Sequence, residues 1–384
     1  MNNIKSIFNF LIDLVKREIN YILVTPTHAL LFITYRCTNQ CRMCTIWKRG
    51  KKSNKREELN LEYWKKCVDE LLSRKIKVIE IFGGDSLIRK DVTIPLIEYI
   101  KKKNENVIVD FPTNCNLLDE ETAKALVRAG VDRLYVSLDG TVEIHDKIRG
   151  RRGAYNSVLR SLEYLVEAKK NLKQETPEII INCTISALNI DSFEQIIPVV
   201  EKFGADTIEF EYVGEFKEEN IQNTSVNGIK PNPFYITSGS SNLLTREQAY
   251  LLKKKMKNIR ESAKKFRIKI VTQHIDALTI DNLTEGMILN KKCYFCRYTV
   301  SIDPFGNVMG CFHFNNYILG NIKYVPFSLI WKNKNHRRFL KFQKKGKIKI
   351  CNNCISGVHR NPTLLQSFYR ATYFILKGKG FDER

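Results

Sequence analysis

The chain has 384 residues, enough for one large domain beside a smaller one, and its 43% apolar content supplies a sizeable core. Lys and Arg exceed Asp and Glu by 63 to 41, a formal charge of +22. The basic residues are nevertheless scattered, with denser stretches only at 48–56, 101–103 and 337–349, and no basic platform interleaved with aromatics, which argues against nucleic acid as a partner. Eleven cysteines fall at short spacings (37/41/44, 293/296/311, 351/354), which reads as metal ligation rather than a disulfide framework and places the chain in the reducing cytoplasm.

Residues 1–28 open the chain. Ile4, Ile7, Phe8, Leu11, Val15, Ile19 and Ile22 recur at helical spacing, so the spacing predicts an amphipathic helix. Asp13, Lys16, Arg17 and Glu18 interrupt it, which excludes a signal peptide, and no run reaches the roughly 18 apolar residues of a membrane span. The helix packs on the domain or, together with a basic aromatic tail at 361–384, makes a peripheral contact with an anionic membrane.

Six short β-branched or apolar runs follow at 29–34, 78–82, 107–111, 133–138, 178–186 and 207–213. Segments of helical period separate them at 61–72, 94–103, 119–129, 154–170 and 191–203. Strands alternating with helices predict parallel βα units with right-handed crossovers. Six units are too few for a closed eight-stranded barrel, so residues 29–214 are expected to form an α/β, partial (β/α)6 TIM-like barrel with its chemistry at the carboxyl ends of the strands. Residues 215–245, rich in Gly, Asn, Ser and Pro, read as a linker or lid. From 246 to 360 a helix, a strand, the second cysteine group and a hairpin signal at Asp303, Pro304, Gly306 and Asn307 predict a small C-terminal domain of hairpin and helix.

The strand ends carry the motifs. After the first strand come Cys37, Cys41 and Cys44, a C-x3-C-x2-C spacing with Met43 inside it. Three thiolates from one loop leave a four-position site one ligand short, which disfavours structural zinc. The second strand ends in Gly83-Gly84-Asp85, the third in Thr113-Asn114-Cys115, and the fourth in Ser137-Leu138-Asp139-Gly140, followed by His145-Asp146 and Arg149-Gly150. On the fifth strand Asn182 and Thr184 share a face.

This set resembles the radical S-adenosylmethionine enzymes. The resemblance implies a 4Fe–4S cluster on Cys37, Cys41 and Cys44, whose open iron is chelated by S-adenosylmethionine. It also implies reductive cleavage to a 5′-deoxyadenosyl radical that abstracts hydrogen from a substrate C–H. Met43, Gly83, Gly84, Asp85, Thr113, Asn114, Ser137, Asp139 and Asn182 would then contact that cofactor. Asp85 stands where the family usually has Glu, and Cys115 where it often has Gly. His145 and Arg149 contact the cofactor region or merely stabilise their loop.

Cys293, Cys296, Cys311, Cys351 and Cys354, with Gly306, Gly320-Asn321, Trp331 and Arg338, resemble the SPASM or Twitch extension. That implies one auxiliary 4Fe–4S cluster on Cys311, Cys351 and Cys354, with Cys293 or Cys296 as fourth ligand; a zinc ribbon satisfies the same spacing. Asp110, Glu209 and Glu211 are candidates for a general base. The resulting expectation is an oxidoreductase-like radical enzyme acting on a small sugar or alcohol, or alternatively on a peptide or protein side chain. Its electron donor would be a flavodoxin or ferredoxin.

Overall fold

The computed structural model describes residues 25–53, 57–235, 241–288, 293 and 295–355. The expected N-terminal helix and the basic tail lie outside them. The six expected strands form: β1 His28–Thr34, β2 Val78–Gly83, β3 Ile108–Thr113, β4 Arg133–Ser137, β5 Glu178–Ile185 and β6 Thr207–Tyr212. They pair in chain order, all parallel. Parallel neighbours need a crossover between them, and helices supply it: α1 Ile46–Ser53 and α2 Leu61–Ser73 after β1, α3 Lys90–Lys103, α4 Glu120–Ala129, α5 Val142–Arg149 and α6 Ala154–Leu172, and α7 Ile196–Lys202.

Alternation along each strand divides the side chains between two faces. Ile79, Ile81, Val109, Phe111, Leu134, Val136, Ile179, Ile181, Ile208 and Phe210 are buried with the helices in one core. The other face lines the barrel. Its register runs Glu80, Asp110, Arg133, Glu178 in one row, Tyr135, Ile180, Thr207 in the next and Ser137, Asn182, Glu209 in the one after, towards the carboxyl ends.

The sheet does not stop at β6. Beyond it β7, Lys269–Val271, adds in parallel, and helix α8, Arg246–Ser262, packs nearby. On the opposite edge β8, Thr299–Ile302, pairs in parallel with β1, and β9 Asn307–Met309 and β10 Ile318–Asn321 follow antiparallel. The hairpin that composition assigned to a separate C-terminal unit therefore continues the barrel sheet, ten strands in all among the described residues. An unclosed barrel leaves β1 with unpaired amides, and β8 satisfies them. The β8–β9 turn is the one the sequence announces: Asp303 Oδ1 accepts from the amides of Phe305 and Asn307, and Gly306 sits at φ 86°. Asn321 braces it through Phe305 O, and Trp331 packs on His336 and Phe327. Helix α9, Lys334–Lys344, closes the region.

Two details position the site. Gly83 lies at φ 146°, and a Cβ on Gly84 would stand 2.2 Å from Arg36 O. Both glycines are needed so that the end of β2 can zip onto the chain leaving β1, through Gly84 N–H to Thr34 O and Asp85 N–H to Arg36 O. The second detail is α5, a helix that was not expected. His145 on it is 1% exposed, and its Nδ1 accepts the Asp139 amide. Burial pushes the imidazole down to about 4, against the pull of Asp139.

Replacing Gly84 with Ala should cost about 1–3 kcal/mol, because backbone rather than a flexible side chain must move; chemical denaturation measures it. His145 gives a pH signature of known sign. The unfolded chain takes up its proton as pH falls through 6.5, whereas the folded chain does so only near 4. This contribution is complete above 6.5 and declines on acidification, by about 3 kcal/mol in full. The slope of stability against pH in that window should flatten in His145→Gln.

Candidate active site and metal centres

The C-x3-C-x2-C loop hangs at the carboxyl end of β1 and is held from four sides. Thr38 Oγ donates to Asp85 Oδ2 at 2.6 Å. Asn114 Nδ2 donates to Thr38 Oγ, 3.1 Å, and reaches Cys37 Sγ at 3.8 Å, while Asn116 Nδ2 donates to Asn39 Oδ1. The amides of Gln40 and Arg42 donate to the carbonyls of Arg149 and Ile148 at the end of α5. Finally, Thr45 donates from both amide and hydroxyl to Phe234 O.

The expected cofactor contacts divide accordingly. Gly83 and Gly84 approach protein backbone. Asp85 is 3% exposed; it caps the turn at Leu87 and ties down Thr38, and burial pushes its carboxyl up. Thr113, buried, accepts the Cys115 amide, and Met43 lies in the core. Cys115, which replaces a glycine, takes the positive φ of 65° itself.

Asp139 lies just beyond β4, which ends at Ser137. Its carboxylate is 0% exposed, grips Arg149 through Nε at 2.7 Å and Nη2 at 3.0 Å, and accepts the Thr184 amide. Arg149 in turn lies against Cys41. Both side chains are thus engaged with the loop after β4, His145 through the Asp139 amide and Arg149 through the Asp139 carboxylate.

Ser137 and Asn182 do stand side by side at the strand ends. Asn182 Nδ2 donates to Glu211 Oε2 at 3.3 Å, and its buried Oδ1 has no hydrogen-bond partner. Of the three candidate bases, Asp110 forms a two-pronged ion pair with Arg133, 2.6 Å on each side. Glu209 is half-buried, and its carboxyl is pushed up by burial and then by Glu211. It faces a cavity of about 380 Å³ with Arg133, Tyr135, Glu178 and Lys269, at the amino ends of the strands and away from the cysteine loop.

No disulfide links any of the eleven cysteines. Burial pushes the thiols of Cys37 and Cys44 up to about 12. Cys41 is raised too, with Arg149 opposing. In the second group Cys296, 3% exposed, is hydrogen-bonded with Cys293 and Cys311. Cys351 and Cys354 flank Asn353, whose side chain joins Gly286 O and Asn220. Among the described residues no three thiols, imidazoles or carboxylates stand as a ready-made metal site. The donor chemistry nonetheless fits iron–sulfur clusters: soft thiols on one loop, a buried cation beside Cys41 to offset thiolate charge, and an orphaned Asn182 acceptor for a ligand.

Sequence reasoning missed the wall between the two thiol groups. Phe32, Tyr35, Phe234, Phe305 and Phe312 form one apolar cluster against which Cys44, Cys311 and Tyr235 pack. Tyr235 is placed where Cys44, Cys354, Glu80 and Glu211 all act on its phenol, which burial pushes well up. His313 stacks on Phe312 at 3.7 Å and meets Tyr235 edge-on at 5.4 Å. Phe234 and Tyr235 come from the segment read as a linker, whose aromatics were the available signal.

Residues 31–197 match the Radical SAM superfamily model and residues 293–355 that of the SPASM iron–sulfur cluster-binding domain. A Fe-coproporphyrin III synthase of Methanosarcina barkeri is 31% identical over 46% of this chain, which spans 44% of that protein. An AdoMet-dependent heme synthase of the same organism is 26% identical over 86% of this chain and 90% of its own length. The PqqA peptide cyclase of Bradyrhizobium diazoefficiens is 27% identical over 48% of this chain and 46% of its own. Among solved structures, SuiB of Streptococcus suis bound to S-adenosylmethionine shares the fold, with a TM-score of 0.61 at 14% identity over 90% of this chain and 76% of that one. The chain thus carries a Radical SAM domain at residues 31–197 and a SPASM iron–sulfur cluster-binding domain at residues 293–355.

Proposed function

We propose that this enzyme modifies a peptide or protein side chain, rather than the small sugar or alcohol that the sequence suggested. The observation that carries the reading is the lining of the barrel. Glu80 and Glu211 face its interior where both act on Tyr235, with Glu209 deeper beside Lys269, while Arg133 is neutralised by Asp110. Such a lining suits a neutral or cationic group, as on a peptide, and repels a polyanion. The similarity to a peptide cyclase supports it. A second reading, a tetrapyrrole substrate, is favoured by the longer alignment with an AdoMet-dependent heme synthase. The carboxylate lining opposes it.

In this reading Cys37, Cys41 and Cys44 hold the first 4Fe–4S cluster, and Cys311, Cys351 and Cys354 with Cys293 or Cys296 hold an auxiliary one. With S-adenosylmethionine bound at the first, the chemistry supplied is a 5′-deoxyadenosyl radical. Arg149, fixed by Asp139, offsets thiolate charge at Cys41, and Asn182 and Ser137 orient the cofactor's ribose side. Glu211, hydrogen-bonded to Asn182, is the carboxylate best placed to take a substrate proton. Tyr235 and the stacked aromatics keep water from the space between the two thiol groups. A flavodoxin or ferredoxin supplies the electron.

After reconstitution with iron and sulfide, Cys41→Ala should form no 5′-deoxyadenosine, whereas Cys354→Ala should keep the first cluster but lose iron; mass spectrometry and iron assay read the two. Substrate class is decided by isotope transfer. A peptide fraction from cells grown on perdeuterated amino acids should pass deuterium into 5′-deoxyadenosine. Transfer from deuterated iron-coproporphyrin III alone would sink the peptide reading.

A further inference from the structure

Residues 323–332 run along the outer flank of α2. Lys323 Nζ lies 5.3 Å from the Tyr63 ring, where Lys66 Nζ also stands at 5.7 Å. Further along, the Phe327 amide donates to Glu70 Oε2 at 2.6 Å. The segment is anchored by Phe327, Ile330 and Trp331, all buried. Between these anchors it turns apolar side chains outward: Tyr324 is 81% exposed, Leu329 68% and Val325 37%, beside Tyr63 at 39%. These are four of the seven exposed large hydrophobics among the described residues, so the exposure is concentrated rather than scattered.

Charge brackets the patch. At one end are Lys66 and Lys323; at the other Lys332 lies close enough to Arg74 and Arg337 for both to oppose its ammonium charge, and Arg337 Nε donates to Lys332 O at 2.8 Å. The nearby carboxylates on α2 are engaged: Glu70 with Phe327, Glu62 with Lys65 at 2.9 Å, Asp69 with Lys103 at 3.5 Å and with Tyr99. Against these three acids stand Lys65, Lys66, Arg74, Lys103, Lys323, Lys332 and Arg337, and the cationic surplus is complementary to an anionic surface. Tyrosines and a leucine standing out from a turn, with lysine and arginine at both ends, have the form of an interfacial membrane contact.

We propose that this face docks on an anionic lipid bilayer, with Leu329, Tyr324 and Val325 entering the headgroup boundary and Lys323, Lys66, Arg74, Lys332 and Arg337 meeting lipid phosphates. No helix among the described residues is long and apolar enough to cross a membrane, so the contact is peripheral. It does not rest on the substrate reading above.

The test is co-sedimentation of the full-length protein with phosphatidylcholine vesicles, with and without phosphatidylglycerol. The wild type should sediment with the anionic vesicles only, and less so in high salt. Leu329→Glu should weaken partitioning about tenfold or more, and Arg74→Glu/Lys332→Glu about as much. Both variants should keep the melting temperature and the reconstituted iron content of the wild type. Wild-type failure to sediment overturns the proposal. Equal sedimentation by wild type and both variants also overturns it, because binding then belongs to another part of the chain. Heparin binding lost in the charge variant, without vesicle binding in the wild type, identifies a polyanion-binding protein surface instead and likewise overturns it.

Discussion

The buried ion pair between Asp139 and Arg149 is the contact on which the site depends. Two hydrogen bonds join carboxylate and guanidinium where water has been excluded, and Asp139 also takes the Thr184 amide. Removing either partner from such a pair leaves an uncompensated buried charge, worth about 3–5 kcal/mol. Through this pair the end of β4 sets the end of α5. The end of α5 offers the carbonyls of Ile148 and Arg149 to the cysteine loop, and the same guanidinium lies against Cys41. One interaction thus shapes the loop and balances the charge its thiolates bring.

The other strand ends repeat that logic. Asp85 and Asn114, residues of the kind that would bind a ligand, turn back to Thr38 and Cys37. The glycines at 83 and 84 allow backbone to approach backbone. What faces the interior instead is a ladder of side chains set by parallel register, with Ser137, Asn182 and Glu209 in one row and Thr184 and Glu211 in the next. The aromatic cluster completes the enclosure, and it draws on β1, on the segment before 236 and on the C-terminal hairpin together.

Much of this was legible beforehand. The six strands of the barrel, the hairpin turn at Asp303–Asn307 and both thiol groups follow from period, turn chemistry and spacing, which are local properties. What the sequence hides here has one cause: it lists carboxylates without their partners, so Asp110 and Asp139 stand in it as a candidate base and a candidate cofactor contact, whereas the structure pairs them with arginines. Arg133 lies 23 residues from the first and Arg149 ten from the second. The carboxylates of the barrel interior come together only once β2 and β6 are brought into one register frame, which no local pattern displays.

By itself the sequence determined the repeating βα pattern and the thiol spacings, and with them the kind of chemistry, since periodicity and ligand spacing act over a few residues. The tertiary structure decided which polar groups remain for a ligand and which are bound to one another. It also decided that the C-terminal hairpin joins the barrel sheet through β1 and that Tyr235 stands between the two thiol groups. Those outcomes follow from burial and from pairings between distant segments, where an unmatched charge or amide costs too much to leave unsatisfied.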